Sequence, residues 1–175
     1  KISLISFHGG RAEVLVPPTK SMALTKNRLE VMPCGGGSPL AHALMLAAQV
    51  GLNTMKVKQD VGRVVIVCVT DGRANIPLEL SQQSKFTPAT DPLSKGGMPS
   101  RKFLKDEVLA CAKKLGSISD FDFVCIDTED SFVGTGIAEE MAMAARGKYF
   151  HIAKEMATSS SVAQITRKNL RRDEQ

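Results

Sequence analysis

Tryptophan is absent from these 175 residues, and tyrosine occurs once. Surfaces that stack nucleobases are built from aromatic rings, so this shortage argues against a single-strand nucleic-acid binder. Cysteine is scarce too, and Cys34, Cys68, Cys111 and Cys125 form no CxxC pair. That spacing offers neither a disulfide framework nor a zinc site. Two of the four sit inside apolar runs and read as small buried hydrophobes in a reducing compartment. No apolar run approaches the ~20 residues of a membrane-spanning helix, and no signal peptide is visible. Nucleotide fingerprints also fail. Gly35-Gly36-Gly37-Ser38-Pro39 lacks the lysine of GxxxxGK[ST], and GxGxxG is not met.

What is present fits one domain with a real core. The longest β-branched run, Val64–Val69, ends in Thr70-Asp71-Gly72. Apolar residues without alternation suit a strand buried on both faces of a parallel sheet. A carboxylate at the C-terminal tip of such a strand lies where open α/β sheets place their ligands. The net charge is +5, with Arg167, Lys168, Arg171 and Arg172 concentrated near the end. Such a cluster reads first as a solvated helix face.

Taken in order, Ile2–Phe7 and Ala12–Val16 read as strands joined by a Gly9-Gly10 turn, the second stopped by Pro17-Pro18. Ser21–Met32 reads as a short helix capped by Thr19 or Ser21. Ser38 and Pro39 are suited to open the next helix, which runs to about Leu52. Residues 74–100 hold four prolines and read as one long loop. Arg101–Leu115 is helical, with Gly116 as its stop. Phe121–Ile126 is a strand ending in Asp127-Thr128-Glu129. Ile137 to Ala145 is a helix closed by Gly147, and Lys148–Ile152 is a last strand. A weaker helix is expected around Val162, Ile165 and Leu170. Strands alternating with helices predict an α/β, doubly wound, mostly parallel sheet. The predicted domain spans residues 1–157, with a basic helix or tail over 158–175.

Two residues are the candidates for chemistry. Asp71 is suited to ligate a metal or orient its water, and the plain alternative is a turn aspartate holding local N–H groups. Ser38 is suited to cap its helix or to bind a hard cation such as Mg²⁺, which takes oxygen ligands. His42 lies one turn beyond Ser38, but no third group orients the pair, so it reads as a helix-face histidine. Asp127 and Glu129 are an acid pair whose spacing does not by itself fix them together. The candidate set contains no catalytic nucleophile.

Pro33-Cys34-Gly35-Gly36-Gly37-Ser38-Pro39-Leu40-Ala41-His42, Thr70-Asp71-Gly72-Arg73-Ala74-Asn75, Ile126-Asp127-Thr128-Glu129, and Phe132-Val133 with Thr135-Gly136 closely resemble the D subunit of magnesium chelatase. The likeness is to its von Willebrand factor A (integrin I-like) domain and runs from Ile2 to about Ala153. Asp60-Val61-Gly62-Arg63 resembles plastid versions. The resemblance implies a subunit of the ATP-dependent ligase that inserts Mg²⁺ into protoporphyrin IX on the way to chlorophyll. It implies a non-catalytic platform that assembles with the ATPase I subunit and the porphyrin-binding H subunit. The setting it implies is the plastid stroma, or the cytoplasm of a photosynthetic bacterium. ATP would belong to the full complex and not to this chain. The generic alternative is a metal-dependent adhesion module unrelated to tetrapyrroles.

By the same resemblance, Ser38 matches the second loop of a metal-ion-dependent adhesion site, and Asp71 the third. The first loop, Asp-x-Ser-x-Ser, has no counterpart here. The chain starts at Lys1 without an initiator methionine, at what resembles the second strand, so a fragment of a longer protein is expected. In the family's sheet order, 3-2-1-4-5-6, the missing first strand is central and neighbours Val64–Val69. The resemblance therefore implies an incomplete Mg²⁺ site and an unpaired edge along that strand.

Overall fold

The computed structural model describes residues 1–32, 35–57, 61–83, 99–129 and 135–152. Strand β1 (Ile2–His8) pairs antiparallel with β2 (Arg11–Thr19), and Gly9 turns the chain at a φ of 64°. The second strand does not stop at Pro17-Pro18 as the sequence predicts. Pairing passes from Leu4↔Val16 to Ile2↔Thr19 with one extra residue on β2. A bulged edge strand tolerates proline because its outer N–H groups need no ladder partner.

Helix α1 (Met22–Glu30) starts at Ser21, whose side chain accepts the Leu24 N–H at 3.2 Å. Its Leu24 and Leu29 are exposed and only Thr25 is buried, so its apolar spacing does not mark a core face. Helix α2 (Leu40–Val57) extends five residues beyond the predicted end at Leu52. It packs against the hairpin on one side and helix α4 (Arg101–Leu115) on the other. Ser100 caps α4 by accepting the Phe103 N–H, and Gly116 closes it as predicted.

Strands β3 (Val64–Thr70), β4 (Phe121–Asp127) and β5 (Lys148–His151) form the parallel sheet, in that order. The register runs from Val64↔Phe121 to Thr70↔Asp127, so both acidic strand tips lie at one sheet edge. Helix α5 (Ile137–Ala144) crosses between β4 and β5. The core joins Leu40 and Leu44 of α2, Val108 and Leu115 of α4, and Met141 of α5 to Cys68, Phe123 and Cys125 of the sheet. The buried cysteines Cys68, Cys111 and Cys125 are free thiols that pack as small apolar groups. The expected long loop over 74–100 contains a short helix, α3 (Leu78–Gln82), among its described residues. Residues 84–98, the Phe132-Val133 motif and the basic tail lie outside the described residues.

The β-branched run departs from the two-faced burial its composition predicts. Val64, Ile66 and Cys68 turn toward the core, while Val65, Val67 and Val69 are 39%, 43% and 52% exposed. That face is left uncovered among the described residues, and the outer edge of the strand is open as well: β3 pairs there with β4 alone, and the hairpin forms its own two-stranded sheet. Between them runs a groove of about 450 Å³, lined by Ile2 and Leu4 of β1, Val50 and Gly51 of α2, and Val65 and Val67 of β3. This is the side on which the resemblance lacks a strand.

Candidate functional site at the carboxyl edge of the sheet

The third-loop candidate begins where β3 ends. Thr70 is buried, and its Oγ1 accepts the Gly72 N–H at 3.1 Å. That bond bends the chain at once, and Gly72 completes the bend at a φ of 74°, a left-handed conformation natural only to glycine. Asp71 is left at the tip. Its Oδ1 accepts the Arg73 N–H at 3.0 Å, and the Arg73 Nε lies 3.8 Å from Oδ2. The carboxylate is partly exposed, so water still reaches it.

The second-loop candidate is drawn to the same place. The Ser38 N–H donates to Asn75 Oδ1 at 2.5 Å, and the Asn75 N–H donates to the Ser38 carbonyl at 3.3 Å. This reciprocal pair ties the turn before α2 to the loop that carries Asp71. The Ser38 carbonyl also accepts the Leu40 N–H, and Ala43 donates to Pro39 in the first turn of α2. Gly37 makes the approach possible, because a Cβ there would strike the Gly9 carbonyl and the Ile76 side chain. The structure thus brings the two predicted residues onto adjoining loops, linked by an asparagine that the residue-by-residue reading gave no role.

His42 lies on α2, as expected, and has a structural task there that the sequence does not name. Its Nδ1 accepts the Ala12 N–H at 3.3 Å and so fastens α2 to β2. Burial, with help from the Arg11 charge, holds its pKa below the ordinary value, so the neutral acceptor form is favoured.

The acid pair is held together, although its spacing alone does not require it. Asp127 Oδ1 accepts the Glu129 N–H at 2.8 Å, an aspartate turn spanning two residues. Asp127 Oδ2 accepts the Tyr149 hydroxyl at 2.8 Å. Glu129 Oε2 in turn accepts the Thr135 N–H at 2.8 Å. The Thr128 N–H donates to the Thr70 carbonyl, joining this turn to the Asp71 loop. Burial, then the bond to Asp127, pushes the Tyr149 phenol pKa up and keeps its proton in place as a donor.

A hard cation requires several oxygen ligands. Ser38 and Asp71 are of the right chemical type, one hydroxyl and one carboxylate, and fit two corners of such a site. No group of three or more His, Cys, Asp or Glu able to hold a metal occurs among the described residues. The donor set is therefore partial.

A three-stranded parallel sheet flanked by helices, with oxygen donors on its carboxyl edge, places the chain in the von Willebrand factor A fold class. It superposes on the crystal structure of the SpRpn10 VWA domain with a TM-score of 0.55 and 11% identity, covering 85% of this chain and 62% of that one. Homologues of the chain are named magnesium-chelatase 67 and 60 kDa subunits. The chain is 40% identical over 159 residues to the magnesium-chelatase 67 kDa subunit of Heliobacterium mobile, covering 91% of this chain and 21% of that protein. Against the magnesium-chelatase 60 kDa subunit of Cereibacter sphaeroides the identity is 45% over 78 residues, covering 45% of this chain and 13% of that protein. The chain thus spans about a fifth of the 67 kDa relative. No protein-family profile matches it.

Proposed function

We propose that this chain is the assembly platform of an ATP-dependent magnesium chelatase, the ligase that inserts Mg²⁺ into protoporphyrin IX. The observation that carries the reading is the 40% identity to a magnesium-chelatase 67 kDa subunit over nine-tenths of the chain. Its fold supports a binding role, since oxygen donors at a sheet edge suit a docking cation better than proton or phosphoryl transfer. On this reading Ser38 and Asp71 supply two ligands of an adhesion-type Mg²⁺ site, and further acidic ligands come from outside this chain. The cation would supply an electrophilic position that a partner's carboxylate fills. Asp71 then governs docking and takes no part in porphyrin chemistry. The partners are the ATPase I subunit and the porphyrin-binding H subunit, with ATP bound elsewhere in the complex. The complex works in the plastid stroma or in the cytoplasm of a photosynthetic bacterium.

The test is Asp71→Ala in the full-length subunit, followed by co-sedimentation of the reconstituted complex and by Mg-protoporphyrin formation. Assembly and metal insertion are expected to fall together, while ATP hydrolysis by the I subunit alone stays unchanged. Normal assembly with abolished insertion would reject the platform and point to a direct role in Mg²⁺ delivery.

A further inference from the structure

We infer that Glu129, set in place by Asp127 and Tyr149, is a positioning residue for the loop that presents Asp71. The inference rests on the reading of Asp71 as a docking-site ligand and adds residues that sit on other elements.

Asp127 and Glu129 are 5% and 6% exposed, although carboxylates are among the groups least often buried. Their hydrogen bonds explain how they are tolerated and what they hold. Asp127 accepts from two sides at once, Oδ1 from the Glu129 N–H and Oδ2 from the Tyr149 hydroxyl. An amide at 127 has one acceptor oxygen and fails one of these donors, so the arrangement calls for a carboxylate. Tyr149 comes from β5, so the turn after β4 is anchored to the neighbouring strand. Glu129, fixed by that turn, accepts the Thr135 N–H just ahead of α5. Thr135 then borders the Asp71 loop, for a Cβ on Gly72 would come within 2.7 Å of Thr135 Oγ1. A second tie, from the Thr128 N–H to the Thr70 carbonyl at 3.0 Å, holds the other end of the same turn.

Among the described residues, Asp71 itself is held through its own loop, by the Arg73 N–H and the Arg73 guanidinium at longer range. Its aim therefore depends on the backbone at residues 70 to 72. That backbone is bracketed by Thr128 on one side and Thr135 on the other. Glu129 links the two brackets, its own N–H bound to Asp127 and its carboxylate to Thr135. Groups of this kind, which orient a ligand without touching the cation, commonly change metal affinity when removed.

The experiment uses the full-length subunit without nucleotide. Calorimetric titration with MgCl₂ and the Mg²⁺ concentration needed for half-maximal co-sedimentation with its partners are the two readouts. Glu129→Ala is expected to raise both by about tenfold or more. Glu129→Gln, which keeps an acceptor oxygen, is expected to restore them to near the unmodified values. Tyr149→Phe removes one hydroxyl, leaves the ring, and is expected to produce a smaller shift in the same direction. Circular dichroism identifies any variant that fails to fold. If Glu129→Ala misfolds, Tyr149→Phe decides: an unshifted Mg²⁺ dependence in that folded variant overturns the inference. Unchanged Mg²⁺ dependence in folded Glu129→Ala, with loss in Asp71→Ala, overturns the positioning role and leaves the docking site standing. Unchanged behaviour in Asp71→Ala itself overturns the docking-site reading and this inference with it.

Discussion

At the scale of single residues, two side chains carry opposite pH signatures. Tyr149 is the one tyrosine of these 175 residues, so the difference between the ultraviolet phenolate titrations of the unmodified subunit and of Tyr149→Phe reports this group. Burial and the Asp127 carboxylate raise its folded-state pKa. The stability it contributes is present below the unfolded value of about 10 and is lost as pH rises through the folded one. The titration is expected to begin above pH ~10 in the folded subunit and to move down in Asp127→Asn. His42 works the other way. Burial and Arg11 depress its pKa, so its contribution is present above about 6.5 and is lost as pH falls toward the folded value. Hydrogen-exchange protection of the Ala12 amide, whose acceptor is His42 Nδ1, should therefore drop below that pH and be unaffected above it. Neither residue advertises its task in sequence. A tyrosine in Lys-Tyr-Phe-His reads simply as strand, and a histidine on an apolar helix names no partner thirty residues away. The places of Asp71 just after β3 and of Ser38 just before α2 are legible in the sequence, because turn and stop signals of the local chain set them.

Among the elements, the approach of α4 to the end of α5 depends on one missing side chain. A Cβ on Gly116 would lie 2.5 Å from the Ala145 carbonyl oxygen, and that obstacle is main chain, which cannot swing aside. Gly116→Ala is expected to cost about 1–3 kcal/mol through overpacking. Gly62→Ala, with open space around the new methyl group, serves as the control and should change stability by less than about 0.5 kcal/mol. Comparison of the two by denaturant unfolding of the full-length subunit checks the difference. The helices and strands of the parallel sheet were readable from period and stop signals. Arg101–Leu115 and Phe121–Asp127 fall where the helical period, Gly116 and the acidic turn put them. The misreadings share a physical cause. Pro17-Pro18 ends a strand only if its N–H groups are needed, and β2 is an edge. The helix that carries Leu24 and Leu29 was read correctly, yet both side chains are exposed, because periodicity predicts a face without supplying a neighbour. The same holds for Val65, Val67 and Val69, whose β-branched character was sound evidence for a strand and no evidence for a cover.

For the molecule as a whole, the valine row and the open edge of β3 make self-association the expected behaviour of the 175 residues in isolation. Sedimentation should show concentration-dependent aggregates, and Val67→Lys, which puts a charge in the row, should reduce them. A sharp, reversible, concentration-independent thermal transition of the isolated chain would reject this expectation. The groove has a further consequence for how the molecule comes apart. Among the described residues no main-chain ladder crosses it, so the hairpin is tied to the parallel sheet mainly through α2, with a smaller contact from β2 to α3, by side-chain packing and the Ala12–His42 bond. A lone two-stranded ribbon is marginally stable in water. The hairpin therefore owes its persistence mainly to α2, and the two sheets are separate units of opening. Fluctuations release the hairpin first while the three-stranded layer keeps its order. The seam thus sets a hierarchy of motions, with the most easily loosened part lying beside Gly37 and the turn that presents Ser38.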